Sequence, residues 1–281
     1  MANLSGKVFQ KVFLYLILVL FTLFSLLPLL WAFSSSFKPL DAVMSDVTTF
    51  RPRAFLPVPF TLEAYSALFK AGFGRSVLNT VFVGLSTIAL GIVVCSLAAF
   101  AFAKINFPFK NLLFILVLVS FMVPFEAIAI PLYLVAQSIG ILNTMYALIL
   151  PGIANGLVIF LFRQFFMGIP NELLEAAFID GASWIKIFWK IVLPLSKPAL
   201  VSASLFLFIF QWESFMWPLI AIHEKNLRVI QVALAYLRTQ YLTFWNQVFA
   251  GVVIGAVVPL LLIFPLQSYY IRAITLSGLK E

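Results

Sequence analysis

Six stretches of the chain are apolar over about the length of a bilayer crossing, and polar or turn-forming residues separate them: 12–33, 76–103, 111–134, 146–162, 198–222 and 248–271. A hydrocarbon core of about 30 Å needs roughly 20 apolar residues of helix, so each stretch predicts one transmembrane helix. A spanning β-barrel would instead show alternating segments of about 10 residues, which these continuous runs do not resemble. Helices satisfy their own backbone groups in lipid, so the predicted fold is all-α and polytopic, with six spans and both termini on one side. The first stretch follows Lys7 and Lys11, as the apolar core of a secretory signal would. It exceeds the roughly 7 to 15 residues of a cleavable signal and ends at Trp31, an interfacial residue type, so it predicts an uncleaved first helix.

The segments between the spans divide the chain further. Residues 34–75 are polar and rich in proline (Pro39, Pro52, Pro57, Pro59), which predicts an extended outer connection with a short helix from Leu62 to Phe69, capped by Thr61. Three regions follow: 1–73 as first helix and outer loop, 74–271 as a five-helix transmembrane domain containing the loop 169–195, and 272–281 as a tail. Composition agrees, since 63% of the 281 residues are hydrophobic and 10% are charged, where a soluble domain carries about 25% charged residues. The net charge of +8 is no nucleic-acid signal in such a chain, because basic loops set membrane topology. Ten Lys and Arg fall in the shorter segments on the side of the termini and eight in the longer segments opposite, which predicts cytoplasmic termini. One cysteine, Cys95, excludes an intramolecular disulfide and a thiolate metal site. His223 has no nucleophile or second ligand near it in sequence, so no catalytic or metal spacing emerges, and neither enzymatic activity nor a cofactor is expected of this chain.

The polar segment between the fourth and fifth spans, Ile169 to Pro194, carries the strongest signal. It predicts two short helices. Asn171 is the candidate cap of the first, Glu172 and Glu175 lie near its positive end, and Gly181 is placed to end it in the left-handed conformation. Ser183 caps the second helix, whose apolar stripe is Trp184, Ile185, Phe188, Trp189 and Val192, and Pro194 closes it. Composition alone fits an interfacial pair as well as a docking element. The spacing is more specific: Glu175-Ala176-Ala177, then Gly181, Ile191, Leu193 and Pro194, with Asp180 before the glycine.

That pattern resembles the cytoplasmic coupling loop of permease subunits in bacterial ATP-binding-cassette importers. Ile169-Pro170, Asp180-Gly181-Ala182, Leu193-Pro194-Leu195, Lys197-Pro198-Ala199 and Trp212-Glu-Ser-Phe-Met-Trp-Pro218 are similar to the carbohydrate-uptake branch, and the layout to the second permease of maltose-type systems. The resemblance covers about residue 74 to the end, with two departures: Glu213 stands where the branch usually has Asn, and Glu281 replaces a terminal Gly. It implies the type I importer permease fold in the bacterial inner membrane. It also implies import of a mono- or oligosaccharide or related polyol, with a homologous permease, two ATPase subunits and an extracytoplasmic solute-binding protein as partners. Glu175, Ala176, Ala177, Asp180, Gly181, Ile191, Leu193 and Pro194 would couple to the ATPases, with Trp184, Ile185 and Phe188 holding the loop against the bundle. ATP and Mg would be bound there, since no Gly-x4-Gly-Lys-Ser/Thr segment occurs in this chain.

Ionisable and amide residues within spans are the remaining candidates. Glu126, Gln211, Trp212, Glu213 and Trp217 are candidates to line the translocation path, because carboxylates accept from sugar hydroxyls and indoles pack on sugar faces. Pairing with a partner permease or with backbone near the prolines is the alternative. Asn79 and Asn155 are weaker path candidates that fit helix–helix hydrogen bonds as well. Arg228, Arg238 and Tyr241, on the outer segment 223–247, are candidates to touch the solute-binding protein, as the resemblance implies. Rival classes are a permease for a polyamine or peptide, a secondary transporter acting alone around a midplane ion site, and a membrane-embedded enzyme, for which the loops lack clustered Asp, His or Arg.

Overall fold

The computed structural model describes residues 2–48, 52–238 and 243–278, and among these the regular structure is helical, with one isolated bridge between Arg238 and Thr243. In chain order the helices are α1 (Ala2–Ser36), α2 (Leu40–Thr48), α3 (Glu63–Lys70), α4 (Phe73–Lys104), α5 (Lys110–Met122), α6 (Phe125–Ser138), α7 (Met145–Ile149) and α8 (Gly156–Met167). They continue with α9 (Asn171–Ile179), α10 (Trp184–Ile187), α11 (Leu193–Leu195), α12 (Lys197–Trp212), α13 (Met216–Ala221), α14 (Ile230–Tyr236) and α15 (Trp245–Gly278). Among the described residues, three segments are long and apolar enough to cross a membrane unbroken: Gln10–Ser36, Phe73–Lys104 and Trp245–Leu266.

The other three predicted spans are broken. Over 111–134 the chain turns by 101° between α5 and α6. Pro124 sits at the corner, and Val123 before it is extended at ψ 123°, as the proline ring requires of its predecessor. The 13 residues of α5 rise only about 20 Å and cannot cross alone. Over 146–162, α7 passes through a 3₁₀ turn at Leu150–Gly152 and bends 40° into α8, which restarts at a cap made by Asn155. Over 198–222, α12 stops at Trp212 and α13 resumes at Met216.

The chain forms two compact units. One comprises residues 1–74 with 234–257. Its outer connection folds rather than extends, because Lys38 is fully buried and its Nζ donates to Asp46 Oδ2 at 2.8 Å and to Ala54 O at 2.8 Å. The ammonium thereby gathers α2 and a 3₁₀ turn at Pro52–Phe55 around the end of α1. Ser36 Oγ shares a hydrogen bond with the Tyr65 hydroxyl at 2.8 Å, which fastens α3. Thr61 stands one residue before the N-cap of α3, Leu62, and its hydroxyl accepts from Glu63 N at 3.1 Å.

The other unit comprises residues 75–233 with 258–281. One apolar cluster joins Phe100 of α4, Phe114 of α5, Phe162 and Phe166 of α8 and Leu207 of α12, and a second lies toward the start of α4 with Val83, Leu148, Trp217 and Val229. Gly156 permits the close approach of α8 to α5: a Cβ there would lie 2.8 Å from Phe121 Cβ and 2.9 Å from Val117 O.

Candidate functional site

The segment 169–195 lies against the first cluster. Leu174 and Ala177 of α9 are buried in it, while Glu172, Glu175, Ala176, Ile179 and Asp180 are exposed. An α-helix two and a half turns long thus has one face in the apolar core and the other open. Asn171 is the first helical residue rather than the cap, and Pro170 occupies the cap position with no side-chain bond. The Asn171 side chain does something else. Lys104, the last residue of α4, donates from Nζ to Asn171 Oδ1 at 2.8 Å and to Ile169 O at 2.6 Å. This clasp fixes the start of α9, and sequence reasoning missed it because the two partners are 67 residues apart.

Gly181 ends α9 at φ +75°. Its N–H donates to Phe178 O at 2.9 Å and the Ala182 N–H to Ala177 O at 2.9 Å, the paired closure that needs a left-handed residue at this point. Ser183 then caps α10 by accepting from Lys186 N at 3.4 Å. The apolar stripe beyond it differs from the expected one. Ile187, Phe188 and Val192 are buried, whereas Ile185 is 70% exposed and does not hold the loop. Trp184 is partly exposed and contacts Phe178 and Phe100 edge-on, at centroid distances of 4.6 and 5.9 Å. The helix widens to a π turn over Phe188–Val192 and continues through Pro194 instead of closing there. An α-turn would drive the Pro194 ring against the carbonyl of Lys190 and leave that carbonyl without an amide, and the wider turn relieves both. The stop comes at Ser196, whose hydroxyl donates to Val192 O at 2.6 Å, and the chain turns 83° into α12. Ile191 and Leu193 are half-buried against the same cluster, and Pro194 is exposed.

The polar residues of the spans fall into two groups. Gln211, Trp212 and Trp217 are buried around the breaks. Gln211 Nε2 donates to Leu148 O at 3.4 Å and Trp217 Nε1 to Ala147 O at 2.8 Å, so both serve carbonyls of α7, while Trp212 O accepts from Gln231 Nε2 at 3.2 Å. Asn155 Oδ1 accepts from Leu157 N at 3.0 Å and Val158 N at 3.2 Å, capping α8. Asn79 Nδ2 donates to Asn226 O at 2.8 Å and Arg228 O at 3.0 Å, which ties the outer segment to α4. Glu126 and Glu213 form the second group: each is exposed at a helix break, and neither carboxylate has a hydrogen bond or ion pair among the described residues. The Trp217 ring lies 6.4 Å from that of Phe125, the neighbour of Glu126. Of the outer candidates, Arg238 lies 5.9 Å from the Trp245 ring centroid, Arg228 is half-buried, and Tyr241 lies outside the described residues.

A sequence profile decides the affiliation of this arrangement: that of the binding-protein-dependent transport system inner membrane component matches residues 91–274. The chain belongs to this family. Among similar permeases is the arabinooligosaccharides transport system permease protein AraQ of Halalkalibacterium halodurans, 33% identical over 260 residues, which cover 90% of each chain. The sn-glycerol-3-phosphate transport system permease protein UgpE of Yersinia pestis is 33% identical over 94% of this chain and 95% of its own. A chain from the crystal structure of a bacterial ABC transporter involved in import of the acidic polysaccharide alginate superposes with a TM-score of 0.81 at 23% identity, covering 95% of this permease and 97% of that chain. The all-α architecture is therefore that of an ABC importer permease, and the chain is a transport component of the inner membrane rather than an enzyme.

Proposed function

We propose that this permease imports a neutral saccharide or polyol, driven by ATP hydrolysis on partner ATPases that dock on α9. The observation that carries the coupling half is the division of α9 into a core face, Leu174 and Ala177, and an open face with Glu175 and Ala176. A helix so anchored passes a push on its open face into the cluster shared with α4, α8 and α12. Glu175 is the polar anchor, Ala176 allows close approach, and Gly181 sets the angle at which the chain leaves the docking face. The termini are cytoplasmic, in line with the basic residues of the loops, and this places α9 on the ATPase side. The complex comprises a homologous permease, two ATPases holding ATP and Mg, and a solute-binding protein reached through the segment 223–247 with Arg228, Arg238 and Tyr241.

The name of AraQ supports a saccharide, and that of UgpE a polyol, there carried as its phosphate. Within this solute class, Glu213 favours a neutral solute over a phosphorylated or acidic one, since a carboxylate lining the path repels an anion while accepting hydrogen bonds from hydroxyls. The test is ATP-dependent uptake into proteoliposomes holding the purified complex. Neutral oligosaccharides, polyols, glycerol phosphate and a polyamine are offered, with Glu175→Lys and Glu213→Gln variants. Accumulation of a neutral sugar that Glu175→Lys abolishes is the expected result. Accumulation of an anion or a polyamine alone overturns the solute class, and full uptake by Glu175→Lys overturns the coupling role.

A further inference from the structure

A cavity of about 510 Å³ lies between the turn joining α4 to α5 and the end of α8, lined by Phe102, Asn106, Lys110, Asn111, Arg163 and aromatic neighbours. Its charged lining is wholly cationic. No ion pair engages Lys110 or Arg163 among the described residues. Arg163 is held in place, with Nε donating to Phe102 O at 3.2 Å and the guanidinium 4.2 Å from the Phe114 ring centroid. The first turn of α5 adds the backbone N–H groups of Asn111 and Leu112, because its N-cap Phe109 supplies no side-chain bond and the turn contains no acidic residue, while Lys110 N–H donates to Phe107 O at 3.4 Å. Phe109 itself stands at φ +60° and is 75% exposed beside the cavity. A non-glycine residue in that conformation costs about 1 kcal/mol or more, and here it presents an apolar side chain outward, next to exposed Leu112 and Met167.

We propose that this cavity binds a phosphate group, that of an anionic phospholipid at the membrane surface. Two cations, two asparagine amides and the α5 amides match the phosphate, and the rim of Phe109, Leu112 and Met167 matches acyl chain. A freely dissolved phosphate would have no use for that rim. The cavity adjoins the clasp on α9, since its lining residue Ala103 precedes Lys104 and Met167 lies two residues before Ile169. A bound lipid bridges α5 to α8 and stiffens the base from which α9 departs. Placement in the cytoplasmic leaflet rests on the orientation proposed above, whereas binding itself does not depend on orientation or solute.

The test is lipid retention by the full chain in its assembled complex, purified in mild detergent from equal amounts of phosphatidylglycerol and phosphatidylcholine. Wild type retains phosphatidylglycerol preferentially. Lys110→Gln lowers that preference about fivefold, the worth of one cation at a lipid surface, while Lys110→Arg keeps it and Lys225→Gln, an exposed control outside the cavity, leaves it unchanged. Arg163→Lys serves as the second variant and lowers the preference by loss of the planar fork. Equal preference in wild type and Lys110→Gln overturns the proposal. Inorganic phosphate forms a separate arm: binding of phosphate that depends on Lys110, with no preference between the lipids, overturns the lipid assignment.

Discussion

Replacing Lys104 by Met tests whether α9 is held in place from the end of α4. The thioether chain keeps most of the lysine stem, so packing changes little, while the bonds to Ile169 O at 2.6 Å and Asn171 Oδ1 at 2.8 Å both vanish. Asn171 is exposed and water replaces its donor, whereas Ile169 is buried and its carbonyl is left without one. A hydrogen bond to a charged donor contributes about 1.5–3 kcal/mol, and most of the loss falls on the Ile169 side. We therefore expect about 2 kcal/mol, acting on local opening of the α9 segment rather than on global unfolding. That corresponds to roughly a 30-fold rise in the opening equilibrium. Amide hydrogen exchange on the reconstituted complex reads it directly: amides of α9 exchange about 30-fold faster, while those of α12 keep their rates. On the proposed docking of the ATPases to α9, ATP-driven uptake falls more than ATP hydrolysis, because a loosened helix transmits less of the ATPase motion, and Lys104→Arg restores part of both. Unchanged α9 exchange in Lys104→Met would refute the clasp.

Three further outcomes follow from the geometry. Gly156→Ala forces a Cβ to 2.8 Å from Phe121 Cβ and 2.9 Å from backbone Val117 O, so we expect about 1–3 kcal/mol of destabilisation, seen as a lower thermal midpoint in detergent; an unchanged midpoint would mean that α5 and α8 pack loosely. Lys38→Met strands the Asp46 carboxylate beside a buried site, at about 3 kcal/mol; limited proteolysis should then cleave within residues 37–72, and the double variant Lys38→Met, Asp46→Leu should recover much of the resistance. Gly181→Ala places a side chain at φ +75°, about 1–2 kcal/mol of strain at the end of α9; uptake falls and the thermal midpoint barely moves, an expectation that equal uptake by the variant would contradict.

What the sequence made legible follows from the range of each interaction. Gly181, Ser183 and the acidic first turn of α9 act within a few residues, and their roles can be read from spacing alone. Asn171 deceived because a cap residue and a residue that accepts from a distant lysine look alike in sequence. The stripe beyond Ser183 differs for another reason: Ile185, Ile187 and Trp189 are all apolar, so a 3.6 period fits more than one arc of this segment, and packing in the cluster around Phe100 selects the arc through Ile187, Phe188 and Val192. Lys38 belongs to the same class as Lys104. Its partner Asp46 is near in sequence, but the acceptors that make burial of the ammonium tolerable, Ala54 O and Arg53 O, are carbonyls that any sequence would supply.

The breaks in three predicted spans have a common logic. Hydropathy records only that 111–134, 146–162 and 198–222 are apolar, and an apolar run says nothing about where backbone hydrogen bonding is interrupted. Each interruption exposes N–H and C=O groups that lipid cannot satisfy, so it persists only where protein or a polar cavity meets them. At the break within 146–162 the chain provides such partners: the Asn155 cap on Leu157 and Val158, Gln211 on Leu148 O and Trp217 on Ala147 O. The other two breaks carry Glu126 and Glu213, whose carboxylates are left exposed. Six unbroken helices of this composition would offer a solute little besides Phe, Leu and Val. Interrupting them concentrates the few polar side chains and some backbone polarity around α7, α12 and α13 without a large number of charged residues having to enter the membrane.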